Sequence, residues 1–404
     1  MTIAFRATPA QREFVTLDGL RGVAAIMIVI RHAPPFLWQN LTGPTGVFWE
    51  SYLAVDFFFA LSGFVLAHAY GVRLEHGMTV RRFFMVRMVR LYPLYLLACA
   101  IGIVFVAGRL VAGKTGLPAA APDVISALLF LPNPTSPSML FPLNSPAWSL
   151  FDEIAANLVF AVTARHLTTR RLAAFVAVAA VALGVSSAFG WFGFGTALGA
   201  TMDGGTLWHS IGAGLLRVAF SFSAGVLLYR LRGMTAWRPR LPPTLLVGIL
   251  ILTLGCGPTG GLQSIFDIVS TLVLFPTMIF IGADSNPGPR AERAFAWMGA
   301  ISYPIYVLQM PIYAWCIYVS YSIALRRTGS YEHIPRLWGM ASVVLVVAVA
   351  IAANRWFDQP VRRWLTAVLN RGHGADRRIR VGIEARSMSG AERLAGRMSK
   401  PDIE

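Results

Sequence analysis

Charge is scarce in this chain of 404 residues: 13% of them are Asp, Glu, Lys or Arg, about half the share of a typical soluble domain. With 56% hydrophobic residues and a mean hydropathy of +0.60, so few charges cannot cover a water-facing surface. Cysteine is nearly missing too. Cys99, Cys256 and Cys316 lie in or beside apolar segments, a placement that suits buried, inert thiols rather than a disulfide framework. There is no CxxC pair, no HExxH, no Walker loop and no GxGxxG in an αβ setting, so no metal site is expected. The net charge of +16 comes almost entirely from arginine. In a soluble protein that excess points to nucleic acid. Here the arginines fall between hydrophobic runs, where membrane topology explains them, and no nucleic-acid partner is expected.

What the chain does have is long apolar runs. They predict an all-α integral membrane protein, a bundle of about ten transmembrane helices, near residues 17–34, 50–70, 88–112, 147–164, 172–191, 207–229, 242–257, 264–283, 297–322 and 337–357. The stretch 122–132 is apolar but short of the roughly 20 residues a crossing needs, and reads as a surface or re-entrant segment. Arginines cluster in alternate loops, which puts both termini in the cytoplasm. Arg326, Arg327 and Arg336 dissent, since they fall on the side assigned to the exterior. The opening carries Arg6 and Arg12 and no clear cleavage site, so the first span is expected to stay as an anchor. Residues 1–365 form the expected membrane domain, and 366–404 a basic, flexible cytoplasmic tail. No internal repeat is visible, which weakens an inverted-repeat transporter reading.

Within the first span, Arg21 and His32 stand eleven residues apart. A helix separates them by roughly 16 Å along its axis, so one sits near a membrane face while the other lies well inside. Ionisable groups there usually face a protein interior or a watery cavity, which makes both functional candidates; a packing histidine with a snorkelling arginine is the bland alternative. Arg31 points elsewhere and needs the interface or an acidic partner of its own. Arg87 and Arg90 are one turn apart, a geometry that can grip phosphates or simply orient the third span. In Asn144-Ser145-Pro146-Ala147-Trp148-Ser149-Leu150-Phe151-Asp152-Glu153, Ser145 is a candidate cap, and Asp152 or Glu153 a partner for a basic group. Ser62-Gly63 allows close helix packing, and without a Gly-x-Ser-x-Gly elbow Ser62 is not read as a nucleophile.

These motifs, in this order, resemble the acyltransferase-3 membrane acyltransferases from about residue 13 to 365. Leu17-Asp18-Gly19-Leu20-Arg21-Gly22 through His32 resembles the opening signature of arginine, ten residues, histidine. Val55-Asp56-Phe57-Phe58-Phe59-Ala60-Leu61-Ser62-Gly63-Phe64, Arg87-Met88-Val89-Arg90-Leu91-Tyr92-Pro93, Trp148-Ser149-Leu150-Phe151-Asp152-Glu153 and Ile301-Ser302-Tyr303-Pro304 resemble later family segments. Three positions depart from the pattern. Gln309 stands where many relatives carry histidine, Asp358 replaces a glutamate, and Asn157 takes a place often aromatic. The departures bear on the acceptor more than on the reaction type.

The resemblance implies a stand-alone membrane O-acyltransferase of a bacterial-type cytoplasmic (inner) membrane. It would move an acyl group, acetyl from acetyl-CoA being the expected one, onto a hydroxyl of a cell-surface glycan, lipid or small molecule. On that reading Arg87 and Arg90 bind the phosphates of acyl-CoA, and His32 acts as general base or, less readily, carries the acyl group. Arg21 positions the donor or stabilises developing charge, with Asp18 supporting it, and Glu153 orients His32 or meets the acceptor. The competing reading is a transporter or flippase with His32 as a proton relay, followed by a structural scaffold; cleavage of the thioester separates them.

Overall fold

The structure, a computed structural model, describes residues 14–37, 48–194, 201–258, 260–328 and 334–370. Apolar runs this long satisfy their backbone groups most simply as helices, and helices account for nearly all of the architecture. In chain order they are α1 (Val15–Arg31), α2 (Ala54–Glu75), α3 (Val80–Val111), α4 (Leu117–Leu129), α5 (Ala147–Thr163), α6 (Thr169–Phe189), α7 (Ile211–Met234), α8 (Pro243–Gly255), α9 (Gly261–Val269), α10 (Phe275–Gly282), α11 (Pro289–Thr328) and α12 (Arg336–Ala353). A 3-10 turn, Trp49–Leu53, leads into α2. A π-turn, Ser270–Leu274, joins α9 to α10, and another, Asn354–Asp358, carries α12 onward so that the helical run ends at Asn370. Met139 and Leu207 form an isolated antiparallel bridge, and no strand occurs among the described residues.

Among the described residues, seven helical stretches are long and apolar enough to cross a membrane. The other three expected spans are shorter: α1 and α5 have 17 residues each and α8 has 13. The expected third span begins eight residues early, at Val80, because Thr79 caps α3 by accepting from the Arg82 amide at 3.3 Å. Arg81 and Arg82 therefore lie on helix rather than before it, with Arg87 and Arg90 further along the same helix. Ser145, the candidate cap of α5, contributes no side-chain cap; Pro146 occupies that position. Segment 122–132 folds largely as α4, with the Tyr92 and Tyr95 hydroxyls donating to its last carbonyls, Leu128 O at 2.5 Å and Ala127 O at 2.8 Å. From residue 371 on, the expected tail lies outside the described residues.

Two parallel helix pairs organise the interior. Along α1 and α11, Gly19 meets Phe295, Gly22 meets Met298, and Tyr313 donates to Val29 O at 2.9 Å. Contacts on both chains advance in the same direction. Along α2 and α7, Gly63 abuts the Phe222 carbonyl and Gly225 the Ala60 carbonyl, so the two backbones touch where side chains are missing. Gly63→Val or Gly225→Val is expected to wedge this pair apart and cost about 1–3 kcal/mol in denaturation of the purified protein. Gly71→Ala, with open space around it, is expected to leave stability unchanged or slightly raised.

Candidate active site

On α1, Asp18, Arg21, Val29 and His32 fall on one face; on α11, Gly299, Ser302, Tyr306, Gln309 and Tyr313 recur at alternating steps of three and four. The parallel packing turns the two faces toward each other. Arg21 donates through Nε to Ser302 Oγ at 3.0 Å and through Nη2 to Gly299 O at 2.9 Å, and the same nitrogen pairs with Asp18 at 3.0 Å. Ser302 in turn donates to Gly299 O at 2.8 Å. The guanidinium is thereby fixed by three groups from two helices.

At the far end of the same face, His32 Nδ1 lies 3.3 Å from Gln309 Oε1. Gln309 is fully buried, and its Nε2 donates to Tyr306 O at 3.2 Å, which turns the amide oxygen toward the imidazole. An amide oxygen only accepts, so in the neutral ring this contact selects the tautomer with hydrogen on Nδ1 and the lone pair on Nε2. The Tyr306 hydroxyl shares a 2.6 Å hydrogen bond with Ser149, which also donates to Pro146 O at 3.0 Å. Asn144 adds a bond from Nδ2 to Val307 O at 3.1 Å. The start of α5 is thus bonded to the stretch of α11 that holds His32. Arg31 turns away and finds the acidic partner its position requires, Asp203 at 2.8 Å, with Trp49 O and the rings of Trp49 and Tyr52 around it.

A second layer lies nearer Arg21. Arg87 is buried and donates through Nη2 to Glu153 Oε1 at 2.8 Å; Ser62 donates to the same oxygen at 2.5 Å. Arg87 Nε is buried without a partner. Arg90 is exposed and lies within electrostatic reach of Asp18, Arg21, Arg87, Asp358 and Arg362. Asp358 and Arg362 pair at 3.2 Å from the last helical run, and Tyr303 donates to Leu91 O at 2.5 Å. Four arginines and three carboxylates from α1, α3, α5 and the α12 run therefore converge around one level of the bundle, about eleven residues of helix from His32. Ionisable groups inside an apolar bundle are costly, and here they pair largely with one another.

A family model described as Acyltransferase domain matches residues 14–355. The chain belongs to the acyltransferase-3 family. It is 25% identical over 362 residues to a protein of Streptomyces mycarofaciens named Acyltransferase MdmB, across 84% of this chain and 88% of that one. It is also 43% identical over 198 residues to Protein 2 in picA locus of Rhizobium radiobacter, across 45% of this chain and 97% of that one. No solved structure matches. This acyltransferase-3 protein is accordingly a membrane acyltransferase, mainly helical and without strands among the described residues.

The structure brings Arg21, Arg87, Arg90 and Glu153 together in the inner layer and sets His32 at the other end of the α1 face. Glu153 bonds Arg87 and Ser62; the partner of the His32 ring is Gln309. Arg87 and Arg90 do not present one shared grip, since the first is buried against Glu153 and the second is exposed. The roles of Ser62 and Gln309 were not legible, although the three-and-four spacing from Gly299 to Tyr313 was available in the sequence as a signal for the α11 face.

Proposed function

We propose that this protein transfers an acyl group, acetyl being the expected one, from acyl-CoA to a hydroxyl of a cell-surface glycan, lipid or related acceptor. The observation that carries the reading is the His32–Gln309 contact, which leaves Nε2 as the basic nitrogen on the helix face that also bears Arg21. His32 Nε2 takes the proton of the acceptor hydroxyl as its oxygen attacks the thioester carbonyl. The carbon–sulfur bond breaks, and the thiolate of CoA leaves and is protonated. Arg90 and Arg362 hold donor phosphates at the arginine-rich end. Arg21, in the same arginine-rich layer and away from the reacting carbonyl, steadies the donor. Glu153 with Ser62 keeps Arg87 in place. The ten-span topology counts α1, α5 and α8 as short spans inside the bundle, with both termini in the cytoplasm of an inner-membrane protein, so donor and acceptor approach from opposite sides.

Mass spectrometry of surface glycans and lipids from cells with and without the protein tests this reading. The expected result is one acyl unit lost from a defined species on deletion; identical profiles in both strains would count against it. Arg90→Ala is expected to raise the apparent donor KM about tenfold with little change in kcat, the signature of lost uniform binding. An unchanged donor KM in a steady-state assay would return Arg90 to a role in topology. Gln309→Leu is expected to lower kcat about 10-fold to 100-fold, as removing the orienting partner of a functional histidine does. Gln309→Glu, which keeps an accepting oxygen on Nδ1, is expected to recover most of it. Equal losses in the two variants would argue that Gln309 merely packs.

A further inference from the structure

At the His32 end of the bundle, one group of buried oxygens lies outside the two polar layers described above. On α9 the lipid-facing side is apolar: Leu262, Ile265 and Val269 are 63%, 58% and 51% exposed. The opposite side is polar. Gln263 and Ser264 precede Asp267 by four and three residues and Thr271 follows by four, so all share its face. That face meets the turn Trp49–Leu53. Gln263 Nε2 donates to Glu50 Oε1 at 3.2 Å and lies 3.4 Å from the Tyr52 hydroxyl, which donates to Asp267 Oδ2 at 2.6 Å. Met202 N donates to the same carboxylate oxygen at 2.8 Å.

The group is short of donors. Glu50, Gln263 and Asp267 are each no more than 1% exposed, yet Glu50 Oε2, Gln263 Oε1 and Asp267 Oδ1 have no hydrogen-bond partner. The hydroxyls of Ser264 and of Thr271, itself 2% exposed, are unpartnered too. Unmatched acceptors at such burial are costly. Charge points the same way. The neighbouring acids are matched, Asp203 by Arg31 and Asp56 by Arg217, while Glu50 and Asp267 take part in no ion pair among the described residues. Arg31 is near Glu50, but its guanidinium is committed to Asp203 and Trp49 O. Gly257 lies directly against the Glu50 side chain, where any Cβ would displace it.

We propose that Glu50, Gln263 and Asp267, assisted by the hydroxyls of Ser264 and Thr271, bind a calcium-class cation that ties α9 to the turn before α2. Two unmatched carboxylates balance a divalent charge. An all-oxygen set of carboxylates, an amide carbonyl and hydroxyls suits calcium, whereas magnesium demands a tighter octahedron and keeps its waters. The ion would lock the wall that carries Trp49 and Tyr52 over Arg31, next to His32. This assignment stands apart from the donor and acceptor of acyl transfer.

The test uses full-length protein purified in detergent, stripped with a chelator and titrated with Ca2+, Mg2+ or Na+ separately. The expected result is one Ca2+ per chain by equilibrium dialysis, at a Kd of roughly 10⁻⁵–10⁻³ M, with the thermal midpoint rising in step with occupancy. Mg2+ and Na+ at the same concentration are expected to give less than a tenth of the rise. Glu50→Gln and Asp267→Asn are each expected to weaken Ca2+ binding at least tenfold. The wild-type stoichiometry decides the matter even if a variant fails to fold. No bound Ca2+, an equal response to all three salts, preference for Na+, or undiminished binding in both folded variants would each overturn the assignment.

Discussion

His32→Ala is expected to lower acyl transfer by roughly 10²–10⁴-fold, the range that a positioned general base contributes, while the protein still inserts and accumulates. The two halves of this expectation have different origins. The chemical loss follows from removing Nε2, the one ring nitrogen that the Gln309 contact leaves with a lone pair. The intact fold follows from what the imidazole does otherwise. It is only partly buried, it follows the last residue of α1, and its side chain makes a single hydrogen bond at 3.3 Å. Donor KM is expected to stay within a few-fold of wild type, because the arginines that would hold the donor, Arg90 and Arg362, lie in the layer around Arg21, eleven residues along α1 from His32. Initial rates across donor concentration, alongside a thermal scan, check both halves. Transfer at the wild-type rate would remove His32 from the reaction, whereas a lost fold would show that the ring packs rather than reacts.

Asp56→Ala is expected to be the most damaging change to stability away from the reacting groups. Arg217 and Asp56 are both 1% exposed. Arg217 Nε lies 3.2 and 3.1 Å from the two carboxylate oxygens, and Nη2 lies 2.7 Å from Oδ2. The remaining donors reach Gly204 O at 2.7 Å and Tyr52 O at 2.8 Å, and the Trp148 ring lies 5.4 Å from the guanidinium carbon. Removing only the carboxylate strands a cation in a low-dielectric interior, which costs about 3–5 kcal/mol. Asp56→Ala with Arg217→Met removes both charges and is expected to recover part of that loss, a coupling that denaturation of the four proteins in the cycle measures. Loss of less than about 1 kcal/mol in the single variant would mean that the guanidinium finds other partners.

The same pair shows where sequence reading stops. Asp56 sits in an aromatic segment that reads as scaffold, and nothing within ten residues of it announces Arg217, since pairing across 161 positions leaves no local trace. Arg87 and Glu153 repeat the lesson. Each is recognisable as an unusual charge in an apolar run, but their meeting depends on how α3 packs on α5. By contrast, hydropathy located the helices around 50–70, 172–191 and 207–229 to within a few residues, because an apolar run and a crossing length are local properties. The start of α3 is not legible because its first arginines read as a loop, whereas the Thr79 cap lets the helix begin among them. The family was legible because its motifs recur in order along the chain, and residues 14–355 bear that out. In the sequence Gln309 is only a departure from the family pattern; its contact with His32 depends on α1 and α11 lying side by side.

The most direct test of the account is release of free CoA thiol by the purified protein in lipid vesicles, with acetyl-CoA as donor and a glycan and lipid extract of the native cells as acceptor. The expected result is thiol released in step with acetyl appearing on the acceptor, with the His32→Ala protein slower by at least a hundredfold. No thiol release above protein-free vesicles, or equal release by wild type and His32→Ala, would contradict it.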